Sequence, residues 1–416
     1  HVRSRRQRQM CIRDSSNGSA GAYTFSMSDK SLNPVGYGGL QGSGFSPGDY
    51  FGESVDVNYD GTVMAVGATQ HNKSYCKRQS GYVIVKQLVD QEVEVVQRSS
   101  GIFGRNRRYT KIEKKWIDKG GVIGGDPYDR VGYKVKLSKD GNTLAISNVH
   151  HYQSICHVDS LGQKTPRNFH KGSVRVYTYD APTDEWLQKG STMWGVEDYE
   201  GFGIGLDMTP DGNCIVVGSP YYFCPFNLKV GRAQVFKFND GDWKRVGESI
   251  TPASFISKET YEQEMSAFKQ EYTYTTGNNA GGVSPSLSSI NREARFGYSV
   301  SISGNGRLVA IGRPGGGRGG VSVYEWDRYY KTKNDYDKNR WSGHSTVAAN
   351  YSGSGFNVCL NDAGNILAYS TPASPHVLGN TALNTGKVTV CSFNGISSWI
   401  GAGVLKHESH GPVAGS

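Results

Sequence analysis

Two stretches of the chain gather residues that bind metals. His71 and Cys76 lie in the first, and His150, His151, Cys156 and His157 in the second. Imidazole and thiolate are the usual protein ligands of zinc, but no C-x-x-C pair occurs anywhere, and zinc ranks behind plainer readings of these residues. Asp56, Asn58 and Asp60 precede Gly61 with the alternate spacing of a calcium loop, in which carboxylate and amide oxygens wrap a hard cation. The ninth position of that loop is Met64, which cannot ligate, so a polar hairpin turn competes with calcium there. Cys76 and Cys156 each follow a turn glycine, Gly61 and Gly141, by fifteen residues. Equivalent positions of neighbouring units could approach, and a disulfide between the two is a candidate that only distance can test.

Catalytic motifs with a local signature are missing from the sequence. There is no nucleophile elbow, no metalloprotease helix and no phosphate loop; GRPGGGRGG, from Gly312, joins strand to strand and so offers no helix N-terminus to a phosphate. A basic cluster, Arg98, Arg105, Arg107 and Arg108, falls at the centre of a stretch that alternates on both sides, from Glu92 to Trp116. It reads as the tip of a long hairpin, able to dock on an anionic surface or simply to stay solvated.

The elements that would position these groups recur. RFGYSVSISGNGRLVAIGRPGGGRGGVSVYEW, Arg295–Trp326, is an uninterrupted copy of a unit seen five times, the others beginning near Phe51, Val131, Phe202 and Gly355. Its pattern is FG-x-S-V-x-L-S-x-D-G-x-x-L-A-I-G, a loop, G-x-V-x-V-Y, a short turn and W-x-x-x-G. Period-two alternation makes each segment a strand, giving four per unit. The turn glycines are Gly61, Gly141, Gly212, Gly306 and Gly364, preceded by Asp60, Asp140, Asp211, Asn305 and Ala363. Alanine tolerates positive φ poorly, so a type I turn with a glycine bulge is expected rather than a type I′ turn. Consecutive four-stranded antiparallel units with apolar residues on both faces predict an all-β fold, a β-propeller, with an N-terminal half repeat before the five full ones. One helical insertion is expected from Ser257, where Tyr261, Met265 and Phe268 have helical spacing.

On these motifs the units resemble degenerate FG-GAP repeats, the blades of the integrin α-subunit head, over roughly residues 22–405. The resemblance implies a six- or seven-bladed ring and a surface or extracellular setting. The expected organisation is a half blade and linker over 16–50, then blades over 51–130 (with the long hairpin), 131–200, 201–294 (with the helical insertion), 295–345 and 346–410, and a tail over 411–416. Links between the second and third strands then share one face with the links between blades. That loop face carries His71, Tyr75, His150, His151, Tyr152, His157, Tyr221, Tyr222 and Phe223. Variable loops on a repeated scaffold are where recognition sits, and this set is the candidate binding face.

Composition bounds the partners. The formal charge of +9 concentrates in HVRSRRQRQMCIRDS; without it, 46 basic and 37 acidic residues fall to 41 and 36, or +5, which leaves no nucleic-acid signal. Those fifteen residues resemble translated adapter sequence, so the expectation is that the native start, with any signal peptide, lies upstream. A mean hydropathy of -0.52 and the lack of a long apolar run argue against membrane insertion. The reading favoured by sequence is a non-catalytic propeller, a structural or protein-interaction subunit of an extracellular or surface assembly, with no cofactor beyond the calcium candidate. A carbohydrate-binding propeller is the alternative, and a hydrolase or lyase with its site on the loop face is third.

Overall fold

The computed structural model describes residues 19–20, 22–25, 32–36, 40–41, 49–70, 80–97, 107–125, 129–149, 152–158, 164–222, 229–252, 293–315, 319–327, 340–348, 353–372, 375–378, 381–384, 386–394 and 399–406. Among them every regular element is a β-strand; the helix expected from Ser257 lies outside them. The fold is an all-β propeller fold built from four-stranded antiparallel blades. Blade I comprises β1 (Phe51–Val57), β2 (Val63–Ala68), β3 (Tyr82–Gln97) and β4 (Arg107–Asp118). Blade II comprises β5 (Val131–Leu137), β6 (Thr143–Asn148), β7 (Ser173–Asp180) and β8 (Glu185–Gln188). Blade III has β9 (Gly205–Met208), β10 (Cys214–Ser219), β11 (Lys229–Asn239) and β12 (Asp242–Arg245). Blade IV has β13 (Ser299–Ile302), β14 (Leu308–Arg313), β15 (Gly320–Asp327) and β16 (Arg340–Ala348). Blade V has β17 (Val358–Leu360), β18 (Ile366–Thr371), β19 (Lys387–Phe393) and β20 (Trp399–Lys406). Two compact units divide the chain, 1–215 with 237–244 and 216–236 with 245–416.

Within the first unit the second strands show why both faces are apolar. In β2, Val63 and Ala65 join Val135, Leu137, Leu144 and Ile146 of blade II in one cluster. The alternate residues Met64, Val66 and Ala68 pack the other way, with Ala20, Ala22, Phe51, Tyr82 and Trp116. A strand sandwiched between two sheets buries both sets of its side chains, so all six residues of β2 are buried. The residues before blade I pair as the half repeat requires, Tyr23–Phe25 antiparallel with Leu32–Pro34.

Motif glycines sit where blades touch. A β-carbon on Gly67 would lie 2.2 Å from the Gly132 carbonyl oxygen of the next blade, and one on Gly81 would lie 2.3 Å from that of Val131. In the second unit the same approaches recur, Gly218 on the Gly297 oxygen at 1.9 Å and Gly312 on that of Gly355 at 2.1 Å. The F-G glycines Gly132 and Gly297 also hold φ of 91° and 89°, a region that L side chains rarely adopt.

Fourth-strand tryptophans fasten the far edges. Trp116 Nε1 donates to the Val35 carbonyl at 2.7 Å, Trp186 to Lys119 at 2.8 Å, and Trp243 to Lys189 at 2.7 Å. Trp341 donates to Val246 at 3.0 Å in the second unit. Each carbonyl precedes a left-handed glycine, Gly36, Gly120, Gly190 or Gly247, on which the indole lies. W-x-x-x-G thus fastens four of the blades, a glycine of one repeat receiving the next repeat's tryptophan, while in blade V Trp399 donates to Ser345 Oγ at 2.8 Å instead. In blade IV the donor is Trp341, while Trp326, next to last in β15, packs against it at 5.3 Å and lies over Gly247 as well.

Gly312→Ala drives a methyl into the Gly355 carbonyl and is expected to cost about 3 kcal/mol or more by urea denaturation, the upper end for overpacking. Gly121→Ala, where nothing lies within 4 Å, is the control and stays within about 0.5 kcal/mol. Trp186→Phe removes the hydrogen bond but keeps the ring, and is expected to cost about 1 to 3 kcal/mol because the Lys119 carbonyl is left unpaired.

Candidate functional site

Each β1–β2-type hairpin closes in the same way. A polar side chain opens the turn and accepts the backbone N–H five residues on: Val63 to Asn58, Thr143 to Ser138, Cys214 to Thr209, Leu308 to Ser303 and Ile366 to Asn361, all at 2.8 to 3.0 Å. Two residues later Asp60, Asp140 or Asp211 accepts from the N–H of Thr62, Asn142 or Asn213. Only the glycine that follows has positive φ, 68° to 76°, as the bulged turn requires. Burial pushes these three carboxyls up, but the hydroxyl, amide and backbone donors around each outweigh it and leave all three below the ordinary aspartate value.

Neighbouring turns of the first unit are joined through backbone. Tyr59 N–H donates to the Lys139 carbonyl at 3.2 Å, and Lys139 N–H to that of Pro210 at 2.8 Å. A cavity of about 490 Å³ opens here, lined by Tyr59, Asp60, Lys139, Asp140, Pro210 and Asp211. The Lys139 ammonium lies 4.4 Å from the Tyr59 ring centre.

Three residues back along each first strand stands a row of ionisable groups, Asp56, Lys136 and Asp207. At about 3.3 Å per residue the row lies on the order of 10 Å from the cavity-lining turns. Lys136 Nζ is 3.3 Å from the Asp207 carboxylate and 3.9 Å from that of Asp56. The second Asp56 oxygen accepts the Leu137 N–H at 2.7 Å. Burial raises the Asp56 carboxyl above its ordinary value, against the opposing pull of Lys136 and the Leu137 N–H. On the same side of β5, Lys134 is held below the usual lysine value by burial and by the like charge of Lys136. An ammonium flanked by two carboxylates, one of them slow to ionise, can carry a proton and steady a developing negative charge.

The calcium candidates are thereby placed. Asp56 belongs to the row, Asn58 is buried inside its turn with both amide atoms bonded to Thr62, and Asp60 caps that same turn. Among the described residues no group of three or more His, Cys, Asp or Glu is arranged to hold a metal. Tyr221 and Tyr222 are half-buried, and the Tyr222 ring lies 3.9 Å from the Arg232 guanidinium. Tyr152, Cys156 and His157 lie on a strand, Tyr152–Val158, that pairs with Lys164–His170, so this loop is itself a hairpin. His71, Tyr75, Cys76, His150, His151 and Phe223 lie outside the described residues, and the Cys76–Cys156 pairing with them. The blade I hairpin has the expected form, in register from Lys86↔Asp118 to Gln97↔Arg107. Arg98 and Arg105 lie outside the described residues, Arg107 is the first residue of β4, and Arg108 is exposed, 3.5 Å from Glu94.

Sequence reasoning passed over the row, meeting Asp56 as a calcium candidate. Set side by side, the five repeats read Asp56, Lys136, Asp207, Ser301 and Cys359 at this position. Opposite charge in adjacent blades was the available signal.

No protein-family model matches the chain, and no curated protein matches it by sequence. Among solved structures it is similar to a candidate 6-phosphogluconolactonase from Bacteroides uniformis, at 9% identity and TM-score 0.43, covering 94% of this chain and 93% of that one. It is also similar to the periplasmic gluconolactonase of Pseudomonas aeruginosa, at 12% identity and TM-score 0.40 over 96% and 94%. The hydrazine synthase of Kuenenia stuttgartiensis follows, at 14% identity and TM-score 0.35 over 85% and 90%. Likenesses at this level concern the fold alone. The expectation of a non-catalytic structural, interaction or carbohydrate-binding propeller, and with it the expectation that the chain is not an enzyme, is corrected here. The first two neighbours are named as lactonases. Among the described residues no helix is long and apolar enough to cross a membrane.

Ser138→Ala strips the buried Thr143 N–H of its acceptor and is expected to cost about 1 to 3 kcal/mol in a denaturant titration. Because the folded values of Asp60, Asp140 and Asp211 are depressed, their contribution is present above the unfolded carboxyl value, about 3.9, and is lost as pH falls through the folded values. Replacing all three with alanine is expected to flatten the acid limb of a melting-temperature profile below that pH.

Proposed function

We propose that the chain is a hydrolase of small esters, lactones included, working at the turn end of its first strands with Asp56 as the proton carrier. The observation that carries this reading is the Asp56–Lys136–Asp207 row, set about 10 Å back along the first strands from the cavity at the turns. In the step proposed, ionised Asp56 takes a proton from water as its oxygen adds to the ester carbonyl carbon. Lys136, ion-paired with Asp207 at 3.3 Å, sits beside the oxygen that becomes negative. Asp56 then returns its proton to the departing alkoxide, and carboxylic acid and alcohol leave together.

The turn-end position differs from the loop face on which sequence placed a third-choice hydrolase site. Should a cation enter here, Asp56, Asn58 and Asp60 are the residues that would hold it, at the expense of the turn bonds they now make. The FG-GAP resemblance is part of the same proposal, supported by the glycine approaches between blades. An extracellular or surface setting follows from that resemblance.

A panel of lactones and aryl esters tests the reading. The wild-type chain is expected to hydrolyse at least one class, with kcat/KM rising through a value above the ordinary aspartate range, since the base must be ionised and burial holds its proton on. Asp56→Asn keeps the shape and an acceptor for Leu137, and is expected to lose about 10²- to 10⁴-fold in kcat together with that pH dependence. No turnover above background across the panel, or an Asp56→Asn variant as fast as the wild type, would sink the proposal.

A further inference from the structure

Blade I carries an extension that no other described blade has. Strand β2 covers only Tyr82–Gln87 of β3, so from Leu88 outward the hairpin is a ribbon of two strands. Such a ribbon is marginal in water until a third strand or another surface joins it. Strand β4 is paired along its whole length on one side, and among the described residues no strand pairs its other side. That edge presents a row of open N–H and C=O groups, a template for a further strand. Ile112 stands near its middle and is 67% exposed, the most exposed large apolar side chain described.

We propose that this edge pairs antiparallel with the same edge of a second copy of the chain, about a two-fold axis through Ile112. The argument is the charge complementarity of the register centred on the exposed Ile112. With Ile112 opposite its counterpart, Lys111 faces Glu113 twice, Tyr109 faces Lys115 twice, and Thr110 faces Lys114. Lys111 and Glu113 already meet at 3.0 Å within the strand, so the two copies complete a ring of four alternating charges. Sliding the pairing by one residue sets Lys111 against Lys114, or Arg108 against Lys115, two like-charge contacts in either case. Moving the axis to Lys111 or Glu113 opposes each to itself. Opposed like charges are destabilising across strands, and the register through Ile112 avoids them while setting both Lys111–Glu113 pairs face to face. The pairing is isologous, as a closed two-fold dimer requires, and joins two ribbons into a four-stranded sheet.

Analytical ultracentrifugation of the full chain tests this directly. The wild type is expected to sediment as a dimer at micromolar concentration, with dissociation promoted by salt. Lys111→Glu sets glutamate against Glu113, and Glu113→Lys sets lysine against Lys111; each is expected to weaken the dimer about tenfold or more. The double variant Lys111→Glu with Glu113→Lys restores opposite charges in the same register and is expected to recover the wild-type constant. A chain that stays monomeric across the micromolar range overturns the proposal and leaves the edge to a different protein. So does a dimer indifferent to the single changes, or one that the double change fails to rescue. All these positions lie on an exposed ribbon, and circular dichroism of each variant confirms that folding is intact.

Discussion

Where the second strand carries a glycine, as in blades I, III and IV, a carbonyl oxygen of the next repeat occupies the place where a β-carbon would stand; between blades II and III that position is Ser147. Gly67 and Gly312 leave that place empty on their second strands, and Gly132 and Gly355 bring the oxygens that fill it. Backbones can approach so closely only where neither side chain intervenes. The approach sets first strands beside first strands, so that Ser54 Oγ donates to the Gly132 carbonyl at 2.5 Å and Ser299 Oγ to that of Gly355 at 2.8 Å. The tryptophan fasteners work at the other edge of the sheets, and their glycines face the same requirement for a bare backbone under an indole.

That dependence explains what the sequence made legible. A glycine needed for φ or for contact cannot be traded away, so Gly61, Gly141, Gly212, Gly306 and Gly364 mark the repeats even where Ala363 has replaced the usual aspartate or asparagine. Alternation in β2 and its equivalents gives strands, and apolar residues on both faces give stacking. Blade architecture, the bulged turn and the long hairpin of blade I were therefore readable. The fourth strand of blade IV was harder, because residues 328–339 separate it from β15 and Trp326 offers itself as the closing tryptophan. The hairpin Tyr152–His170 reads as a loop for a related reason: its strands carry Gln153, Ser154, Asn168 and Pro166, which have little strand signal of their own.

The row was hidden for a different reason. Asp56 and Lys136 are eighty residues apart, and Lys136 and Asp207 seventy-one, so no local window shows both partners. A motif template compares each repeat with an ideal, and by that measure Lys136 is a defect. Physical contact compares each repeat with its neighbour, and by that measure Lys136 is the complement of the residues on both sides.

Whether the row serves only the fold can be judged from the blades that lack it. At the same position blades IV and V carry Ser301 and Cys359, and there Ser301 Oγ accepts the Leu360 N–H at 3.0 Å, the part that Asp56 plays toward Leu137 in blades I and II. A neutral hydroxyl thus suffices to join first strands at this level. Lys136, Asp56 and Asp207 are half-buried, so three charges there carry part of the desolvation cost of a buried ion pair, whose uncharged replacement is often neutral or stabilising. The Asp56 carboxyl registers that cost as a raised affinity for its proton. Charge at this position exceeds what Ser301 supplies to join first strands in blade IV, and it is carried on the same strands whose turns line the cavity.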